Sequence, residues 1–233
     1  DILIHLIKLN QITIRKVLKM IKRAYFIIYF LVFLYGANNN SVKSLIKTAK
    51  IHEKRDDYNS AILIYENLLE KDPYHRQSLR NLKSIYINQE KYLDGIKFLE
   101  NRIKTLPNNF NNYSDLGEFY YLNNQTAYAD SIWEKGIKKF KNQRPFYRIM
   151  LSLYGKYNLN DQISNLLNFG RVQFGNSFLA YEAGIYFQAR SAYDKSLDQF
   201  LLYLINEPEQ NGIIERRVLL MSDDETAIPI IER

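Results

Sequence analysis

Phe110-Asn-Asn-Tyr-Ser-Asp-Leu-Gly-Glu-Phe-Tyr-Tyr-Leu-Asn-Asn-Gln-Thr-Ala-Tyr-Ala-Asp-Ser-Ile-Trp133 is one copy of a pattern that returns every 34 residues along the chain. Its Tyr120 has counterparts at Tyr86 and Tyr154, its Tyr113 at Leu79 and Tyr147, and its Leu116 at Leu82 and Met150. The small residue Ala129 answers to Ala61, Gly95 and Ile163, and Trp133 to Tyr65, Leu99 and Leu167. Pro73 and Pro107 close two of the units at the same interval. A fixed period of this size marks a solenoid, in which each unit buries its apolar face against its neighbours.

Each unit reads as two antiparallel helices. In the first, helix A is expected over Val42–Lys54 and helix B over Tyr58–Lys71. Arg55-Asp56-Asp57 supplies capping carboxylates between them, and Asp72-Pro73 stops helix B because proline cannot continue a helix. The second unit spans Arg76–Pro107 and the third Phe110–Lys141; the fourth starts near Arg144 and the fifth near Ser177, one residue short of the period. Ala183, Gly184, Phe200 and Pro208 set the fifth register. Ala61, Gly95 and Ala129 fall where two helices cross closely, and Gly117 and Gly184 do the same within helix A, because a larger side chain would push the axes beyond about 8–10 Å. Tyr65, Leu99, Trp133, Leu167 and Phe200 fill the space beyond, each burial contributing about 1.5–3 kcal/mol.

These residues resemble the tetratricopeptide repeat: an aromatic, then Leu-Gly, then Tyr in helix A, followed by Ala, an aromatic and a closing Pro. The third unit carries it best, in Tyr113, Leu116, Gly117, Tyr120, Ala129 and Trp133. The second has Leu79, Leu82, Tyr86, Gly95, Leu99 and Pro107. The first has Thr48, Ala49 and His52 in helix A but keeps Ala61, Tyr65 and Pro73, and the fourth has Ile163 for the small residue and Gly175 for the proline. The resemblance covers residues 42–208. It implies an all-α, right-handed α-solenoid of antiparallel helix pairs, about five repeats plus a partial sixth. Asn211–Ser222 reads as the sixth helix A and Glu225–Arg233 as the start of its partner, with Pro229 early in it. No polar cap is visible at this end, so the expectation is that further repeats follow Arg233, the alternative being an edge that pairs with a partner.

Composition fits a folded protein: 46 % of residues are hydrophobic and 24 % charged. The net charge of +7 is unevenly spread. Residues 1–37 hold six cations and one anion, while the remaining residues hold 26 cations against 24 anions. The repeat body is near neutral, so no global field draws it to phosphate. Aromatics beside cations can stack on single-stranded RNA, but most aromatics here recur at core positions, so packing explains them first. No nucleic acid partner is expected.

Residues 1–37 are expected to be a leader, 38–208 the five repeats and 209–233 the partial sixth. Met20-Ile-Lys-Arg precedes an apolar run, Ala24–Ala37, and then Asn38-Asn-Asn. That order is a charged, an apolar and a polar region. The run of about 14 residues falls short of the roughly 20 a bilayer span needs, which favours a signal peptide over an uncleaved anchor or a buried helix; Tyr35 fits the cleavage rule poorly. Met20 is the expected true start, the alternative being a longer amphipathic leader with Ile2, Leu3, Leu6, Ile7 and Leu9. The chain is therefore expected to be exported, periplasmic or anchored on a bacterial envelope. Membrane contact would come only through residues 24–37 if uncleaved.

Catalytic chemistry is not expected. There is no cysteine, which excludes thiolate metal sites, thiol catalysis and a lipidated cysteine. His5, His52 and His75 have no ligand partner at helical spacing, and His52 takes the slot of Tyr86 and reads as packing. No Ser-His-Asp arrangement or phosphate-cradling loop is present. Asp56-Asp57 and Asp223-Asp224 sit at turns, where capping explains them. No metal or cofactor is expected.

Binding remains. By the resemblance, a peptide or partner protein is received in the groove lined by helices A. The solvent-facing positions there are Lys47, Lys50, Gln77, Arg80, Asn81, Ser84, Asn88, Asn111, Ser114, Glu118, Tyr121 and Arg148. Amides and cations of the first two units suit a peptide backbone or a carboxylate. The carboxylate clamp of the chaperone-binding branch is incomplete: Ile46 and Lys50 occupy its first-helix positions, and only Asn81 matches further on. The expected function is a non-enzymatic interaction scaffold or adaptor of the envelope. The alternative is a repeat segment of a larger envelope assembly factor or enzyme whose active part lies past Arg233.

Overall fold

A computed structural model describes residues 41–232 together with Met20, Ile21 and Tyr25. The leader assigned to residues 1–37 lies outside the described residues apart from those three. Among the described residues all regular structure is helical, and none of those helices is long and apolar enough to cross a membrane. The described residues form two compact units, which divide between Lys91 and Tyr92.

The first unit contains α1 (41–53), α2 (Tyr58–Lys71) and α3 (Arg76–Asn88). These bounds lie within a residue of those read from the sequence. Asp57 caps α2 by accepting from the Ser60 N–H at 3.3 Å. Its other carboxylate oxygen lies 2.8 Å from His52 Nδ1, so His52 ties the turn together as well as filling space. These two contacts hold the Asp57 carboxyl below its ordinary value, the Ser60 bond being the larger cause. Buried Tyr65 of α2 donates to Glu53 Oε1 and accepts from Asn81 Nδ2 at 2.8 Å, joining three successive helices.

The second unit contains α4 (Tyr92–Thr105), α5 (Phe110–Leu122), α6 (Thr126–Lys139), α7 (Arg144–Lys156), α8 (Asn160–Phe174), α9 (Ala180–Gln188) and α10 (Tyr193–Asn206). It ends with a 3-10 turn at Pro208–Gln210, α11 (Asn211–Met221) and α12 (Ile228–Ile231). Consecutive helices pack as pairs: α5 on α6, α7 on α8, α9 on α10, with α4 on α5 and α10 on α11 linking pair to pair. The fold is thus the expected all-α stack of helix pairs. Two boundaries differ. The partner of the sixth helix A begins at Ile228, not at Glu225, with residues 222–227 forming turns. The fifth helix A begins at Ala180, not near Ser177, because Phe178 is buried against Phe174 and Tyr147 and Leu179 adopts a left-handed conformation with φ 59°. Those residues turn inward as a plug before the helix starts.

The helices A of the five full units end in the same way. Asp56, Glu90, Asn124, Asn158 and Ser191 are left-handed. The N–H one residue later returns to the carbonyl five residues back: Asp57 to His52, Lys91 to Tyr86, Gln125 to Tyr120, Leu159 to Tyr154 and Ala192 to Phe187. A second bond runs from each left-handed residue to the carbonyl three back. This is the Schellman pattern, which satisfies carbonyls that a helix end leaves without partners.

The small residues are seats for rings. A Cβ on Gly117 would lie 2.1 Å from the indole nitrogen of Trp133, and one on Gly184 would lie 2.4 Å from Phe200. Gly95 faces Phe119, Gly136 faces Phe146 and Gly170 faces Phe178 in the same way. Trp133 also donates from Nε1 to the Ser114 carbonyl at 3.1 Å, which meets the need of a buried indole N–H for an acceptor.

Candidate interaction groove

Two helices A of the second unit, α7 and α9, lie side by side because Gly155 has no side chain. A Cβ there would come within 3.0 Å of the Tyr186 ring. Between them runs a groove of about 420 Å³. Leu151 and Ser152 of α7, Ile185 of α9 and Ala189 just after it line the groove together with Arg148, Lys156, Glu182 and Arg190.

The charged groups are held in place. Arg148 Nε donates to Glu182 Oε1 at 3.0 Å. Because the fifth unit is one residue short of the period, Glu182 stands one residue beyond Tyr181, the fifth-unit counterpart of Arg148. Lys156 Nζ lies 2.8 Å and the Tyr157 hydroxyl 2.7 Å from Glu118 Oε1, and Lys156 also sits 4.8 Å over the Tyr157 ring. The Glu118 side chain is 1 % exposed while that of Lys156 is 55 % exposed. A buried carboxylate requires such partners. Arg190 stacks over Tyr186 with Cζ 4.0 Å from the ring centroid. It donates to Asn158 Oδ1 at 2.7 Å and to the carbonyls of Tyr186 and Gly155. Its guanidinium is thus fixed by neutral acceptors and an aromatic face.

The groove therefore offers oriented N–H donors beside a strip of apolar surface. Chemically, such a combination is suited to hydrogen-bond acceptors such as carbonyls or carboxylates. Among the described residues no group of three His, Asp or Glu side chains could hold a metal ion.

Of the twelve sequence-predicted residues, only Arg148 lines this groove. Lys47, Lys50, Arg80, Ser84 and Asn88 are exposed or half-buried on α1 and α3, and Gln77 lies at the start of α3. Asn88 Nδ2 donates to Ser84 Oγ at 3.3 Å. Asn81 is half-buried and engaged with Tyr65. In the second unit Asn111 is exposed, and Tyr121 is half-buried between Trp133 and Tyr157. Two predicted solvent-facing positions are corrected: Ser114 and Glu118 are buried. Ser114 lies beneath Trp133, where its Oγ donates to the Asn111 carbonyl at 2.9 Å, and Glu118 lies under Lys156 and Tyr157. Sequence reasoning missed Glu182, Ser152, Lys156 and Arg190. The 34-residue step leads from Ser114 to Arg148, but the fifth unit is one residue short, so the repeat carried no signal for Glu182.

No family model matches the chain, and no curated relative does. Solved structures similar to it include TTC0263, a thermophilic TPR protein of Thermus thermophilus, at 13 % identity, 76 % of this chain, 96 % of that chain and a TM-score of 0.42. MamA is similar at 16 % identity, with 70 % and 96 % covered and a TM-score of 0.40. YrrB, described as a TPR protein with an unusual peptide-binding site, is similar at 15 % identity, with 74 % and 90 % covered and a TM-score of 0.36.

Proposed function

We propose that this chain is a non-catalytic protein-interaction scaffold that holds an extended segment of a partner protein along α7 and α9, and that it works in a bacterial cell envelope. The observation that carries the binding role is the α7–α9 groove itself, with Arg148, Lys156 and Arg190 oriented around an apolar strip. Its volume of about 420 Å³ falls in the range of preformed ligand clefts, roughly 300–1,000 Å³. Support for the envelope comes from the order of charged, apolar and polar residues in 20–40.

Affinity capture with the full chain tests both parts. A partner should come from envelope extracts and not from cytosolic ones. Capture should fall about tenfold with Arg148→Glu or Arg190→Glu, the size expected when a central charged contact is lost. Equal recovery by both variants would sink the groove, and recovery from cytosol alone would sink the location.

A further inference from the structure

A second hollow, of about 490 Å³, lies between α6 and α8, helices that contribute nothing to the α7–α9 groove. Ile137 and the buried Tyr147 contribute to its lining, and Phe169 and Val172 form one wall. Those two α8 residues are one helical turn apart, and they are 59 % and 91 % exposed. A single exposed apolar residue is ordinary, but two of them at the mouth of an apolar hollow mark a surface made for contact.

The electrostatics around it are one-sided. Residues 135–147 contain Lys135, Lys138, Lys139, Lys141 and Arg144 and not one carboxylate. Lys138 and Lys141 stand at the hollow itself. Glu134 is the one carboxylate in its lining, and it is shared with Lys138 at 3.2 Å. From 162 to 174, α8 adds Arg171 and no acid. A cationic rim around an apolar floor selects a complementary partner and suppresses a basic one.

We infer that this hollow docks a segment of a partner protein bearing an apolar or aromatic side chain flanked by carboxylates. The anchor side chain enters between Phe169, Val172 and Ile137, and the flanking acids meet Lys138 and Lys141. Residues 1–37 of the chain itself do not fit, because their six cations and one anion would face the same rim. A bilayer does not fit either: a concave hollow encloses a side chain, whereas insertion requires a protruding apolar face.

The test is unbiased selection. A random peptide phage library is panned on the full chain, with counter-selection on Val172→Asp. The selected peptides should share an apolar residue between acids. By fluorescence anisotropy they should bind at least about tenfold more weakly to Val172→Asp and to Lys141→Glu, and more weakly in high salt. Both substituted side chains are exposed, so helical ellipticity should be unchanged in either variant. Arg148→Glu should bind these peptides as the parent does, which separates this surface from the α7–α9 groove. The proposal is overturned if no peptide is enriched, if enriched peptides lack acids, or if Val172→Asp binds them equally. It is also overturned if phosphatidylglycerol vesicles bind in a Val172- and Lys141-dependent way while no peptide does.

Discussion

Gly117 and Trp133 show how a single position sets the spacing of two helices. The indole covers the glycine so closely that a methyl group has no room, and its N–H is already committed to the Ser114 carbonyl. Gly117→Ala should therefore lower stability by about 1–3 kcal/mol through overpacking. Trp133→Ala should lower it by about 3–5 kcal/mol through lost transfer energy and a cavity. Urea denaturation of the two variants measures both. If Gly117→Ala were as stable as the parent, the ring would not be seated there. The sequence made both residues legible as repeat positions, because they recur at one step. It did not make Ser114 legible: a serine beside Asn111 and Asp115 looks solvated, and only the indole lying over it buries it.

At the scale of the element, the helix ends were partly legible. Proline, the capping aspartates and the 34-residue step placed most boundaries. The Schellman turns were not visible, because the usual glycine is absent: Asp56, Glu90, Asn124, Asn158 and Ser191 take its place. A left-handed L-residue costs roughly 1–2 kcal/mol, less for asparagine. Removing that cost is partly offset by the greater freedom of an unfolded glycine, about 0.4–1 kcal/mol. Glu90→Gly should thus stabilise the chain by up to about 1 kcal/mol, and Asn124→Gly by less. Thermal midpoints compare the two; a loss of stability with Glu90→Gly would contradict the turn geometry. The late start of α9 was illegible for a related reason. Nothing in Ser177-Phe-Leu forbids a helix, and the plug forms because Gly170 leaves space for the Phe178 ring.

Across the whole molecule, periodicity revealed the core and concealed the site. Residues that repeat are those that pack, so the tyrosines and small residues stood out, while Ser152, Lys156 and Arg190 differ from unit to unit and carry no such signal. The 19 tyrosines have a further consequence in alkali. Burial is the first cause that holds the hydroxyls of Tyr65, Tyr120, Tyr147 and Tyr154 protonated above the ordinary value of 10.0. Tyr120, which also donates to Glu100 Oε1 at 2.7 Å, is pushed up to about 12. Raised folded values mean that the folded state binds more protons than the unfolded one at high pH. This contribution is complete below about pH 10 and is lost as pH rises through the folded values. Helical ellipticity should therefore fall on titration from about pH 10 to about pH 12, and a signal flat across that window would refute the burial of these hydroxyls.

A ring that rests on a glycine of the neighbouring helix, as Phe119 does on Gly95, Phe146 on Gly136 and Tyr186 on Gly155, also acts as an alignment key. Sliding one helix along the other by a turn would bring the ring down on a side chain instead of an empty notch. Each such pair accepts one register and rejects the next, so the stack is indexed at several levels and not merely glued by apolar area.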